Sequence, residues 1–365
     1  MVYEPILSEQ TRQDFVLSLK LLTNGPVQQR VRDAYRQRLG ADDVAPTPTE
    51  TLSQRHERER RLAREPEFRH WASFTHASQS MMWRAVNATA VRVAPKASAN
   101  LDALANKKTL GTLQLDPALA VPNPIANVEI HRQPGGFVGR GDESPLLPGL
   151  RYFGSSRIYA PGKGNIHAGE DSRGAFLVEQ LQRQFPGIRP QRILELGCGL
   201  GMASHSVALA WPEAEYHAID VAGPLLRMAH LLAEEKGISL HLWQRDAAAS
   251  GFPDGHFDLI ISHIMFHETN SARLPQILRE CRRLLASGGA MLHVDVATQI
   301  MRLGFDDQVM NDWQVRWNGE PFWASFARID MRAEMLRAGF TAERIFAEHR
   351  AKPGAGMSYV FGATN

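Results

Sequence analysis

The run Glu195-Leu196-Gly197-Cys198-Gly199-Leu200-Gly201 is the first stretch of this chain whose residue types could hold a ligand. Three glycines at every second position allow a tight turn and let a ligand approach the backbone, while a helix after them would present free amides. Asp220 follows 19 residues beyond Gly201 at the end of another apolar run, where a carboxylate can accept both hydroxyls of a ribose. A dinucleotide site of the NAD type competes for this pattern, but its GxGxxG spacing fits poorly because Ser204 occupies a later position. Further on, SHIMFHETN places His263, His267 and Glu268 just after a third apolar run. An imidazole with an ordinary pKa of about 6.5 suits proton transfer near neutral pH. Glu268 could orient it or serve as an early-turn partner of a helix dipole. The same cluster, with His293 and Asp295, could also hold a metal ion, although His263 and His267 lack the helical HExxH arrangement.

These residues need strands that end at one edge, and the chain supplies them. RILELG, EYHAID, LHLWQRD, FDLIISH and AMLHVDV alternate with helical stretches at His205–Ala210, Pro224–Lys236 and Ala272–Leu285. Such alternation predicts a doubly wound, mostly parallel α/β sheet covered on both faces. A helix over Ala333–Ala338, then ERIFAEH and MSYVFGA as a terminal hairpin, close the chain.

The first hundred residues read as mainly helical. Asp14–Leu22, Val27–Leu39 and Trp71–Val93 are predicted helices, and Ala45–Thr51 is a loop set by Pro46 and Pro48. Residues 55–70 hold six arginines and four glutamates, so the charges largely cancel and predict an exposed helical face. Trp71, Phe74, Met81, Met82 and Trp83 form an apolar face expected to build core or a homodimer. Residues 115–169 are rich in Gly and Pro, yet Phe137, Leu146, Tyr152, Phe153, Ile158 and Tyr159 favour ordered loops over a free linker. The expected division is therefore a helical unit at 1–110 for dimerisation or substrate capping, an ordered connector at 111–170, and a ligand-binding domain at 171–365. Trp313, Trp317, Phe322, Trp323 and Phe326 are expected to lid an organic substrate.

Composition excludes several partners. The chain has 365 residues, 41 Lys and Arg against 39 Asp and Glu, and a net charge of +2, which speaks against nucleic acid. Two cysteines suit a reducing compartment, and Glu4, Glu9 and Asp14 stand where a secretory signal would be apolar. No run is long enough to span a bilayer, so a cytoplasmic protein without membrane contact is expected.

ILELGCGLG, AEYHAID, RDAAASGFPDGHFDLIISH and LPQILRECRRLLASGGAMLHVD resemble, in order, the segments of class I S-adenosylmethionine-dependent methyltransferases over about residues 175–363. The resemblance implies a seven-stranded sheet and S-adenosyl-L-methionine as cofactor. It further implies that Glu195 organises the glycine loop of Gly197, Gly199 and Gly201, that Asp220 grips the ribose, and that Asp246 with the Ala247 amide reads the adenine edge. Val221, Ser262 and His263 complete the implied cofactor contacts. His267 looks like the histidine that serves small-molecule O-methyltransferases as general base, with Glu268 beside it. The expected reaction is methyl transfer to an oxygen or nitrogen of a small organic acceptor in bacterial specialised metabolism, with no resident metal. An RNA or protein acceptor and a metal-assisted reaction are the alternatives. No NPPY-like segment follows the fourth strand, which argues against adenine and glutamine amide nitrogens as acceptors.

Overall fold

A computed structural model describes residues 2–39, 52–162, 172–298, 305–352 and 356–365; the expected Ala45–Thr51 loop lies outside them. The strands are β1 Thr112–Gln114, β2 Arg192–Leu196, β3 Glu215–Asp220, β4 His241–Gln244, β5 Phe257–His263, β6 Leu285–Val296, β7 Ile345–Lys352 and β8 Gly356–Thr364. Among the described residues they form one sheet in the order β1-β4-β3-β2-β5-β6-β8-β7. Only β8 runs antiparallel to its neighbours, so the sheet is mostly parallel, as the alternation of strands and helices requires. An eighth strand joins the expected seven: β1 comes from the Gly/Pro-rich connector and pairs with β4 at the edge. Its three residues carry no alternation that sequence could reveal.

The β2 strand lies in the middle, buried over Ile193–Leu196. Its pairing with β3 and β5 brings Leu196, Ile219 and Ser262 level, so Gly197, Asp220 and His263 leave the sheet at one edge. Helices α7 Ser172–Gln184, α8 Met202–Ala210 and α9 Gly223–Lys236 cover one face through Leu177, Val207 and Leu226. On the other face, α10 Leu274–Leu284 and α13 Met331–Arg337 pack through Ile277, Leu278, Met331 and Met335. Burying both faces removes the strands from water and favours continuous apolar runs such as LIIS over an alternating pattern.

The amino-terminal part contains α1 Leu7–Leu22, α2 Gln28–Leu39, α3 Leu52–Arg64 and the 40-residue α4 Pro66–Ala105. The expected helix at Trp71–Val93 is thus longer at both ends, starting at Pro66, whose fixed φ suits a first helical turn. Connector helix α6 Leu147–Gly162 packs with α1 and α4 against α9, so Met82, Val86, Leu150, Phe153, Leu225 and Met228 share one core. A third group of helices meets around Trp71, Tyr35 and Leu62, where α11 Phe305–Trp317 inserts Phe305 and Trp313.

That packing bears on two expectations. Trp71, Met82 and Trp83 are buried within the chain, so these residues build core, one of the two uses expected of the face. Trp313 packs on Trp71 with ring centres 5.2 Å apart, Phe326 lies in the core, Trp317 is 55% exposed, and the Trp323 ring centre lies 6.0 Å from that of His267; none of these four is among the residues that line the cavity described below. No helix of the described residues is long and apolar enough to cross a membrane.

Candidate active site

Beyond β2 the chain turns through Gly197, Gly199 and Gly201 with φ of 62°, 54° and 71°, the left-handed region that glycine adopts without cost. A Cβ on Gly197 would stand 2.2 Å from Cγ of Met265. Gly197→Ala is therefore expected to lose cofactor binding together with thermal stability, which calorimetry and a melting curve will check. Gly201 then caps α8 from the left-handed conformation.

Asp220, at the end of β3, anchors this loop. Its Oδ2 accepts from the Gly199 amide at 2.9 Å and its Oδ1 from the Ala222 amide at 2.8 Å, leaving further acceptor capacity on both oxygens. Burial raises the Asp220 pKa, opposed by the backbone amides of Ala222, Gly199 and Val221. Asp246, just after β4, accepts from the Ala248 amide at 2.9 Å and pairs with Arg273 at the start of α10. The Arg245 guanidinium lies flat over the Trp243 and Phe252 rings, 4.4 and 4.2 Å from their centres. Gly197, Gly199, Asp220, Val221, Asp246 and Ala247 all line one cavity.

The connector also lines this cavity, through Pro122, Ile125, Ile130, Phe137 and Tyr152, and Met265 and Glu268 line it as well. Glu268 sits in a 3-10 turn, Phe266–Glu268, entered through Ile264 at φ 58°. A β-branched residue in the left-handed region is strained, and here the Ile264 amide is tied to the Val294 carbonyl at 2.8 Å.

Behind the turn lies a chain of acids and imidazoles. His267 Nδ1 is 2.7 Å from Asp295 Oδ1, and its Nε2 is 3.3 Å from Glu268 Oε1. Glu268 Oε1 also meets His131 Nε2 at 2.9 Å, while His131 Nδ1 meets Glu320 Oε1 at 2.8 Å. Tyr159 donates to the same Glu320 oxygen at 3.2 Å. Burial alone would lower the His267 pKa, but the charges of Asp295 and Glu268 outweigh it and hold the pKa well above 6.5. Burial of Glu268 is likewise outweighed, by His131 and His267, so its carboxyl sits far below the usual range.

Asp295 and Glu268 thus hold the pKa of His267, 3% exposed, above that of an ordinary imidazole, and Glu268 is the member of the pair that lines the cavity. Four expected cofactor contacts also stand off the cavity. Glu195 is buried beneath the loop, accepting from the Ser204 and Tyr216 hydroxyls, and burial lifts its pKa to about 7 against those hydrogen bonds. Gly201 shapes α8. Ser262 lies buried 2.9 Å from His293 Nδ1, and His263 ends β5 without reaching the lining. Each was placed by its neighbour in sequence, but successive strand residues face opposite sides of the sheet.

His263, His293, His267 and Asp295 do not converge as metal ligands, because His293 turns to Ser262 and Asp295 is occupied by His267. Among the described residues, His131, Glu268 and Glu320 bring ligand atoms within 4.8 Å of one another. Each imidazole nitrogen of His131 faces a different carboxylate, whereas a metal could take only one of them, so the arrangement is an ion-paired triad. Sequence reasoning passed over His131, Glu320, Arg245 and Arg273. The first two lie 137 residues before and 52 residues after Glu268, and no spacing rule links them.

Residues 193–289 match the family described as a methyltransferase domain. The chain is 28% identical over 225 residues to the reducing polyketide synthase grgA of a Penicillium species, a match spanning 59% of this chain and 9% of that protein. It is 37% identical over 103 residues to the demethylmenaquinone methyltransferase of Thermus thermophilus, covering 28% of this chain and 46% of that one. It therefore spans less than half the length of either relative. Among solved structures, phosphoethanolamine N-methyltransferase 2 of Haemonchus contortus with S-adenosyl-L-methionine aligns at 13% identity and a TM-score of 0.40, over 52% of each chain.

Proposed function

We propose, from the match of residues 193–289 to a methyltransferase domain, that the protein is a class I S-adenosylmethionine-dependent methyltransferase that methylates an oxygen or nitrogen of a small organic acceptor in specialised metabolism. The residues at the glycine-loop end suit the cofactor's nucleoside. A cradle without side chains at Gly197 and Gly199 adjoins Asp220, which can take two hydroxyls, and Asp246, which can take an amino group. When bound, S-adenosylmethionine supplies an activated methyl on a positively charged sulfur.

The observation that carries the reading is that one cavity is lined both by the residues suited to a nucleoside and by an apolar set from the connector, with Glu268 as a further acidic lining group. Glu268 accepts the hydrogen of an acceptor N–H or O–H group, orienting its lone pair. Its negative charge favours the positive charge that develops on that atom as the methyl arrives. His267, paired with Asp295, stands behind Glu268 and holds its carboxylate in place, and the proton of the methylated acceptor passes to bulk water. The apolar connector wall excludes water and suits a small acceptor better than an RNA or protein chain.

Two measurements test this. Incubation with S-adenosylmethionine and a panel of phenols, amines, carboxylic acids and β-dicarbonyl compounds, read by mass gain of one methyl, identifies the acceptor class. Asp220→Ala is expected to weaken S-adenosylhomocysteine binding by roughly 1–3 kcal/mol through the lost charged hydrogen bonds. Unchanged affinity by calorimetry would remove the ribose assignment.

A second reading is a polyketide acceptor. Similarity to the reducing polyketide synthase covers 59% of the chain, well beyond the methyltransferase-domain match at 193–289. Methylation of the β-dicarbonyl members of the panel, with the amines and phenols untouched, would favour it.

A further inference from the structure

We propose that His131 of the connector is a positioning residue for the acceptor site. Clamped by Glu320, it holds the Glu268 carboxylate at the cavity wall and so selects acceptors that present an N–H or O–H donor over those that present an anion. The proposal rests on the methyl-transfer reading for the identity of the site, and on the following geometry for the role of His131.

The backbone at His131 is in a conformation that its residue type rarely adopts, with φ 54° there and 60° at Arg132. It is held from several sides. Gln79 and Trp83 of α4 both donate to the His131 carbonyl at 2.8 Å, and the His131 amide donates to the Gly319 carbonyl at 2.8 Å. At Gly319 a Cβ would come within 2.8 Å of the Arg132 nitrogen, so only glycine permits that approach. Strain maintained by this many contacts is typical of a functional position.

The ring is aimed with equal care. Glu320, 3% exposed, takes one nitrogen and the Tyr159 hydroxyl; Glu268 takes the other. The groups facing His131 are thus Glu268 from the turn after β5, Glu320 from the loop before the short helix α12 Trp323–Phe326, and Tyr159 from α6. Asp295 and His267 lie one step farther along the chain of contacts. The residue before it, Ile130, lines the same cavity as Glu268, so the clamp stands directly behind that lining. Two oxygens, Glu268 Oε2 and Glu320 Oε2, are buried without a hydrogen-bond partner in the described structure. Three acidic groups, Asp295, Glu268 and Glu320, meet two imidazoles, His267 and His131, so acidic groups outnumber basic ones in the cluster, which favours a donor over an anionic acceptor.

The test uses the full-length chain loaded with S-adenosylhomocysteine and three probes of one length: hexylamine, hexanol and hexanoate. Binding is followed by saturation-transfer NMR from pH 4.5 to 8.5. Asparagine tolerates the left-handed backbone, so His131→Asn removes the cation and spares the turn. In wild type, hexylammonium is expected to bind about tenfold more tightly than hexanoate, the scale of one charged hydrogen bond. That preference should persist to the acid end of the range. In His131→Asn the carboxylate has lost one cation, so its titration moves up and the preference should fall away below about pH 5 to 6. S-adenosylhomocysteine affinity should stay within twofold, since no lining residue of the nucleoside end is touched.

Wild-type protein that binds hexanoate as tightly as hexylamine, or His131→Asn protein with the wild-type preference at every pH, would overturn the proposal. If circular dichroism shows His131→Asn unfolded, Glu320→Gln keeps the imidazole and loosens the clamp. It is expected to weaken the preference for hexylammonium, and a wild-type profile there overturns the proposal as well. Failure of the methyl-transfer reading would show separately, as wild-type protein that does not bind S-adenosylhomocysteine.

Discussion

Glu268→Gln is expected to lower the rate of methyl transfer by roughly 10²- to 10³-fold, the usual contribution of one preorganised electrostatic group. Cofactor affinity should change far less, because Glu268 is not among the residues assigned to the nucleoside. Glutamine keeps the shape and one acceptor oxygen but removes the charge. The loss therefore reports the electrostatic part of the role, and it should fall mainly on turnover, where the charge on the acceptor atom develops. Steady-state kinetics with the acceptor found by the mass screen, beside calorimetry with S-adenosylhomocysteine, measures both quantities. A variant with near-normal turnover would transfer the chemistry to His267 or to the acceptor's own acidity. His267→Ala should reduce turnover too, because Glu268 then loses a neighbouring cation 3.3 Å away.

Asp295→Ala is expected to destabilise the fold by about 3–5 kcal/mol, the cost of leaving a buried charge without its partner. Asp295 is fully buried at the end of β6. It accepts from the amides of Phe266 at 2.8 Å and Val296 at 2.7 Å, and pairs with His267 at 2.7 Å. Alanine would strand those donors and an imidazolium in a low-dielectric site. Urea unfolding, compared at equal slope, gives the value, and Asp295→Asn should recover part of it because the carbonyl still accepts. A change below 1 kcal/mol would mean that water or another group replaces the carboxylate.

The same cluster makes stability fall on the alkaline side. Burial opposes charge on His131, but Glu320 and Glu268 prevail and raise its pKa from 6.5 to about 10. A group whose folded pKa is raised contributes stability that is complete below its unfolded value and is lost as pH rises through the folded one. Wild-type protein should therefore lose stability progressively between about pH 6.5 and 10, and His131→Asn should lose less over that window.

The elements around the nucleoside end were legible from residue order. β2, β3, β4, β5 and β6 are short apolar runs separated by amphipathic helices, and each functional residue there lies within a few positions of a strand end. Gly197, Gly199, Asp220 and Asp246 could be placed because backbone direction and strand length locate them locally, with parallel pairing bringing the ends to one edge. Side-chain facing was harder: Ser262 and His263 adjoin the edge but turn away from the cavity, and Glu195 serves the loop from below.

The acceptor end followed a different physical rule. Its walls come from Ile130, Phe137 and Tyr152, its charge pattern from His131 and Glu320, and none of these shares a local period or spacing with Glu268. They meet because α6 packs on α9 and because the chain near Gly319 docks on the connector, contacts of long sequence separation. The aromatics near Trp313 and Trp323 carried a misleading signal, since an apolar ring looks the same in a sequence whether it covers a substrate or braces a helix. The state of His267 shows the limit most clearly. Its type suggests an ordinary imidazole, but two carboxylates brought near by folding raise its pKa, and a pKa belongs to the surroundings that tertiary structure assembles.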